Sequence, residues 1–154
     1  MLSALLHNNS TITSILATSA SKHRNPGLSQ FHFSRKFNFE CGFCFHTEKT
    51  SSILSLDEAK RGMKLLKEAG MRKLNFVGGE PFLYPTFMQK LLRYGKEVLK
   101  IESISIVSNA SKITEKFLRG NAAYIDIVGI SCDLFNVETN IKIKRGKKEE
   151  NIER

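Results

Sequence analysis

Two short stretches concentrate the residues able to do chemistry. Cys41-Gly42-Phe43-Cys44 sets two thiols close enough to share a metal or a cluster, and Gly42 lets the backbone approach without a clash. Further along, Gly78-Gly79-Glu80-Pro81 combines glycines, which let backbone groups reach a ligand, with a carboxylate able to pair with an ammonium. Each has a plainer reading. The cysteines can be small loop residues, and the glycine stretch can be a strand-to-helix turn. Cys41, Cys44 and His46 also begin a zinc site, but a structural zinc needs four ligands, and Cys132 and His32 are isolated candidates for the rest. Cys132, in Ser131-Cys132-Asp133, reads most simply as a small buried hydrophobe.

The elements that must position these stretches follow from periodicity. Phe31, Phe33 and a turn around Ser34 to Lys36 read as a short strand entering the cysteine loop. Ser55 and Glu58 make a capping-box pattern, and Ala59, Met63, Leu66 and Ala69 recur at helical spacing, predicting a helix over 56–69 stopped by Gly70. Lys73 to Val77 is a strand running into the glycines, and Phe87, Leu91, Val98 and Leu99 mark the next helix. The pattern repeats with Ser103 to Ser108 as strand, Ile113 to Arg119 as helix and Ile125 to Ser131 as a fourth strand. About four β/α units imply a parallel sheet, and right-handed crossovers curl such units toward a barrel whose function sits at the carboxyl ends of the strands. Lys142 to Arg154 is mixed in charge, with Arg145 and Gly146 at a turn and another helix expected to begin there.

Composition bounds the partners. With 154 residues and 41% hydrophobic content, one domain with a real core is expected. A net charge of +9 favours anionic partners, though no specific nucleic acid is indicated. Three cysteines, two of them closely spaced, point to metal or redox chemistry in a reducing compartment rather than to a disulfide framework. No apolar run is long enough to span a bilayer. Residues 1–29 are rich in Ser and Thr, precede the first acidic residue at Glu40 and read as a disordered leader with a faint likeness to a mitochondrial transit peptide. The folded domain is expected over 30–154.

The segment Phe37-Asn38-Phe39-Glu40-Cys41-Gly42-Phe43-Cys44-Phe45-His46-Thr47 resembles the radical S-adenosylmethionine (SAM) motif of cysteine, three residues, cysteine, two residues, cysteine, with Phe37 at the first cysteine. GGEP resembles the same family's motif for the methionine amino group of SAM. CGFCFHT, DEAKRG, LLKEAGM, GGEPFL, SIVSN and ISCD resemble the viperin family in particular. The resemblance implies a radical SAM core, here a truncated, partial (β/α) barrel. It implies a 4Fe-4S cluster held by Cys41 and Cys44, and SAM contacted by Gly78, Gly79, Glu80, Ser131 and Arg145. It also implies a nucleoside triphosphate substrate facing Lys73 and Asn75. In that family reductive cleavage of SAM converts CTP-type nucleotides to 3′-deoxy-3′,4′-didehydro products used in antiviral defence. Its members act on the cytosolic face of the endoplasmic reticulum and lipid droplets, although residues 1–29 hold no convincing equivalent of the family's amphipathic anchor helix.

Three departures bear on those expectations. Phe37 cannot ligate iron, so the cluster is expected to be absent, labile or incomplete. Ala110 replaces the family's glycine and would be strained if that turn needs a positive φ. The fourth strand is expected to leave an open edge that a protein partner would cover. The readings carried forward are a radical SAM nucleotide-modifying domain, a catalytically inactive viperin-like binding module, and a small zinc-binding module.

Overall fold

A computed structural model describes residues 27–44, 52–132 and 135–145. Four strands, β1 (Leu28–Phe31), β2 (Lys73–Phe76), β3 (Ser103–Ser108) and β4 (Ile127–Ile130), form one parallel sheet in the order β1-β2-β3-β4. Between them run α1 (Leu56–Glu68), α2 (Pro85–Arg93) and α3 (Glu115–Asn121), and α4 (Val137–Lys142) follows β4. Sequential parallel order with helical crossovers is the pattern of a partial α/β barrel. No described helix is long and apolar enough to cross a membrane.

Local chemistry sets the helix ends. The Ser55 side chain accepts from Glu58 N while Glu58 reaches back to Ser55 N at 2.8 Å, the reciprocal cap expected from the sequence. Gly70, at φ 98°, ends the helix, and Met71 N donates to Leu66 O before burying its side chain in the core. Thr114 caps α3, which therefore starts at Glu115 rather than Ile113. The second helix is not continuous to Leu99: α2 gives way to a π turn over Tyr94–Val98, where Gly95 lets the backbone approach Ile104.

The core lies on one face of the sheet. Phe31, Leu74, Phe76, Ile104 and Ile106 are fully buried there against Met63, Met88, Leu91 and Leu92 of the helices. Complete burial of such side chains contributes about 1.5–3 kcal/mol each before chain entropy is counted. Phe33 lies past the strand yet is equally buried, stacked on Phe87 with ring centroids 5.1 Å apart. The opposite face is different. Register aligns Gln30, Asn75 and Ser105 across the first three strands, a polar row where a parallel sheet covered on both sides would be apolar.

Several boundaries are corrected. β1 begins at Leu28, so the division between 1–29 and 30–154 falls inside a strand; residues 1–26 lie outside those described. β4 is shorter than Ile125 to Ser131. A helix that was not expected occupies Val137–Lys142, where the Asn136 side chain accepts from Thr139 N, and the helix expected to begin after Arg145 and Gly146 falls outside the described residues. Such short elements are defined by caps and pairing partners more than by periodicity.

Candidate functional site

The glycine turn is shaped by what packs on it. Gly78 and Gly79 have φ of 76° and 59°. A Cβ on Gly78 would fall 1.8 Å from His32 Nδ1, and one on Gly79 would fall 2.6 Å from Lys36 O and 2.8 Å from Ser34 O. Glu80 N donates to Lys36 O at 2.8 Å. The close approach expected to serve a ligand is thus used by the chain itself, which locks the turn to the root of the cysteine loop.

Glu80 is only 1% exposed. Its Oε1 accepts from Phe82 N at 3.0 Å and from Ser108 Oγ at 2.7 Å, and its Oε2 accepts from Asn109 N at 2.8 Å. These partners are all neutral. A buried carboxylate met by neutral donors presents a pole for a cationic group. The Ser108 hydroxyl in turn accepts from Ala110 N at 2.9 Å, and Ser131 N donates to Ser108 O at 2.8 Å. The Arg145 guanidinium donates to the Ser131 carbonyl. Glu80, Ser131 and Arg145, far apart in sequence, are therefore linked across the carboxyl ends of β2, β3 and β4.

Asn38 joins the cysteine loop to this end of the sheet. Its Nδ2 donates to Ser111 Oγ at 2.7 Å and its Oδ1 accepts from Asn109 Nδ2 at 2.9 Å. Asn38, Ser108, Asn109 and Ser111 were not singled out by sequence reasoning. The available signal was an Asn and Ser cluster just past a strand, the composition of a side-chain-bonded turn. Ala110 within that turn has φ 65°, so the strain expected from the lost glycine is present. It amounts to roughly 1–2 kcal/mol.

Other expected residues fare unevenly. Asn75 lies on the polar face, its Oδ1 accepting from Ser105 Oγ at 2.9 Å. Lys73 shares that face but opens β2 at its amino end, where its charge helps lower the Glu102 carboxyl, whose main partner is Arg72. It is not gathered with the carboxyl-end cluster. Cys132 is exposed, contrary to its reading as a buried hydrophobe, because it lies past the end of the edge strand β4. His46 lies outside the described residues.

Cys41 and Cys44 are half-buried in a turn closed by Cys44 N donating to Cys41 O at 3.2 Å, and Gly42 N donates to Ile143 O just past α4. Phe37, where a third thiolate would stand, is 39% exposed. Among the described residues no group of three or more His, Cys, Asp or Glu side chains could hold a metal ion. This donor set does not fit a cluster held by three thiolates.

Comparison with known proteins matches this architecture. The Radical SAM superfamily profile matches residues 33–154. The S-adenosylmethionine-dependent nucleotide dehydratase RSAD2 of Siniperca chuatsi is 54% identical over 122 residues, covering 78% of this chain and 34% of that protein. The RSAD2 of Danio rerio is 51% identical over 124 residues, covering 79% and 34%. The chain spans about a third of the length of these relatives. Among solved structures, Streptococcus suis SuiB bound to S-adenosylmethionine superposes with a TM-score of 0.65 at 23% identity, over 82% of this chain and 29% of that one. With its glycine turn keyed to a cysteine loop at the carboxyl ends of a parallel sheet, this chain belongs to the Radical SAM superfamily, as a viperin-like member.

Proposed function

We propose that this chain forms the SAM-binding end of a viperin-type nucleotide dehydratase site and, with Phe37 in place of a cluster ligand, acts as a binding unit rather than a complete catalyst. The observation that carries the reading is the hydrogen-bonded connection from Glu80 through Ser108 to Ser131 and Arg145. In this reading the Glu80 carboxylate attracts the methionine ammonium of SAM. Arg145 draws its carboxylate, Ser131 meets its ribose, and the Gly78-Gly79 backbone lines the approach. The polar row containing Asn75 takes the sugar or base of a nucleoside triphosphate, whereas Lys73, at the amino end of β2, lies away from the carboxyl-end cluster and takes no part in it. Cys41 and Cys44 supply two thiols, one fewer than a cluster held by three thiolates would need.

Supporting a partner role, Ile127 and Ile130 on β4 and the 99% exposed Phe135 after it are each exposed, and among the described strands β4 pairs only with β3. A strand from a protein partner pairing with β4 would cover its other edge. The proposed setting is the cytosol or the cytosolic face of the endoplasmic reticulum and lipid droplets, which fractionation beside a mitochondrial marker checks.

Calorimetric titration of SAM tests the binding claim. Wild type is expected to bind and Arg145→Ala to bind about tenfold more weakly, the loss of one charge-assisted contact; equal affinity would remove Arg145 from the site. Anaerobic iron-sulfur loading tests the rest. Wild type is expected to retain little iron and Phe37→Cys to retain a coloured cluster. Stable loading of wild type would show that the third ligand comes from elsewhere.

A further inference from the structure

We propose that Asn38 is a positioning residue that fixes the cysteine loop over Glu80 through protein hydrogen bonds alone, so that this end of the sheet keeps its binding geometry with no metal present. The inference rests on the SAM-binding reading given above.

Three hydrogen bonds close a ring. Asn38 Nδ2 donates to Ser111 Oγ at 2.7 Å, Ser111 N donates to Asn109 Oδ1 at 2.9 Å, and Asn109 Nδ2 donates to Asn38 Oδ1 at 2.9 Å. The ring uses both ends of both amides: turning Asn109 over would break two bonds, and turning Asn38 over would set its amide nitrogen against that of Asn109. Asn109 also gives its backbone N–H to Glu80 Oε2 at 2.8 Å, which joins the ring to the buried carboxylate. On the other side of Phe37, Lys36 accepts from Glu80 N at 2.8 Å, and its own N–H is held by Ser34 Oγ at 3.1 Å. Phe37 is therefore flanked by two residues tied to Glu80 or its neighbour. A side chain that offers no ligand to iron is carried on a backbone whose course the protein itself sets. Closed networks of this kind restrain a loop more than their separate bonds would.

The test uses the full chain under a metal chelator, reading amide hydrogen exchange over residues 36–44 and SAM affinity by calorimetry. Wild type is expected to protect the loop and bind SAM. Asn38→Leu, similar in size, is expected to lose protection there and to bind SAM about tenfold more weakly, the effect of losing two part-buried hydrogen bonds. Asn38→Asp is expected to restore protection, because a carboxylate accepts from Asn109 and from a Ser111 hydroxyl that rotates to donate. Ser111→Ala, which cuts the ring at a different residue, is expected to lose part of the protection and serves if Asn38→Leu fails to fold by urea titration. An unchanged loop in both Asn38→Leu and Ser111→Ala would overturn the proposal, as would a wild-type loop protected only after iron and sulfide are supplied. A protected wild-type loop that depends on Asn38 but binds no SAM would uphold the positioning role and overturn the SAM-binding reading instead.

Discussion

The two ends of the sheet are held together by different chemistry. At the amino end, charges meet charges: Arg72 pairs with Glu102 at 2.7 Å, and Lys96 pairs with Asp126 at 2.7 Å while Asp126 accepts from Ile104 N at 2.6 Å. At the carboxyl end, Glu80 meets only backbone N–H groups and a hydroxyl, and Asn38, Asn109 and Ser111 bond among themselves. Opposite charges paired within the protein have little attraction left for a ligand, whereas a carboxylate held by neutral dipoles keeps its attraction for a cation. The amino end is thus a fastening, and in the proposed reading the carboxyl end is the receiving one, the division expected for parallel β/α architectures.

The largest test of that contrast is Gly79→Ala. A methyl group there would meet two carbonyl oxygens, at 2.6 and 2.8 Å, in a backbone of positive φ. A loss of about 3 kcal/mol is expected from strain and displaced packing together, with the cysteine loop detached; a urea midpoint near wild type would show that the loop can move aside cheaply. Glu80→Gln comes next. Its amide would turn a donor toward Phe82 N, Ser108 or Asn109 N, costing roughly 2 kcal/mol in equilibrium unfolding as well as removing the cationic pole. Full retention of SAM affinity in this variant would argue against a charged role for Glu80.

Ala110→Gly works in the opposite direction. Relief of the left-handed strain is expected to stabilise the chain by about 1 kcal/mol, and an unchanged thermal midpoint would mean that the turn relaxes in solution. The smallest effect belongs to the fastening end, where Lys96→Met should cost less than about 1 kcal/mol because the pair is partly exposed. Burial pushes the Asp126 carboxyl up, but the hydrogen bonds from Lys96 and Ile104 N and the charge of Lys96 together bring it below its ordinary value. A carboxyl depressed on folding stabilises the chain above its unfolded pKa. That contribution is lost as pH falls from there through the folded value. The acid limb of the stability curve should therefore flatten in Lys96→Met, and identical limbs would remove this pair from the amino-end fastening.

Local order was legible in the residues themselves. The Ser55 and Glu58 cap, the Gly70 stop and the strand over Ser103 to Ser108 depend on spacing within a few residues, and each stands where periodicity places it. So do the motifs, since CxxC and GGEP are contiguous. What periodicity could not reveal is which groups meet once parallel pairing brings strand ends together. That Glu80 accepts from Ser108 and Asn109, that the glycines yield to His32 and Lys36 instead of standing open, and that Asn38 closes a ring with Asn109 and Ser111 all depend on sheet register. Hydrogen bonds between segments far apart in sequence depend on the register that burial of the apolar face fixes, so they leave little local pattern to read. The chain alone determined the β/α alternation and the residues able to do chemistry; the tertiary structure decided which of them touch.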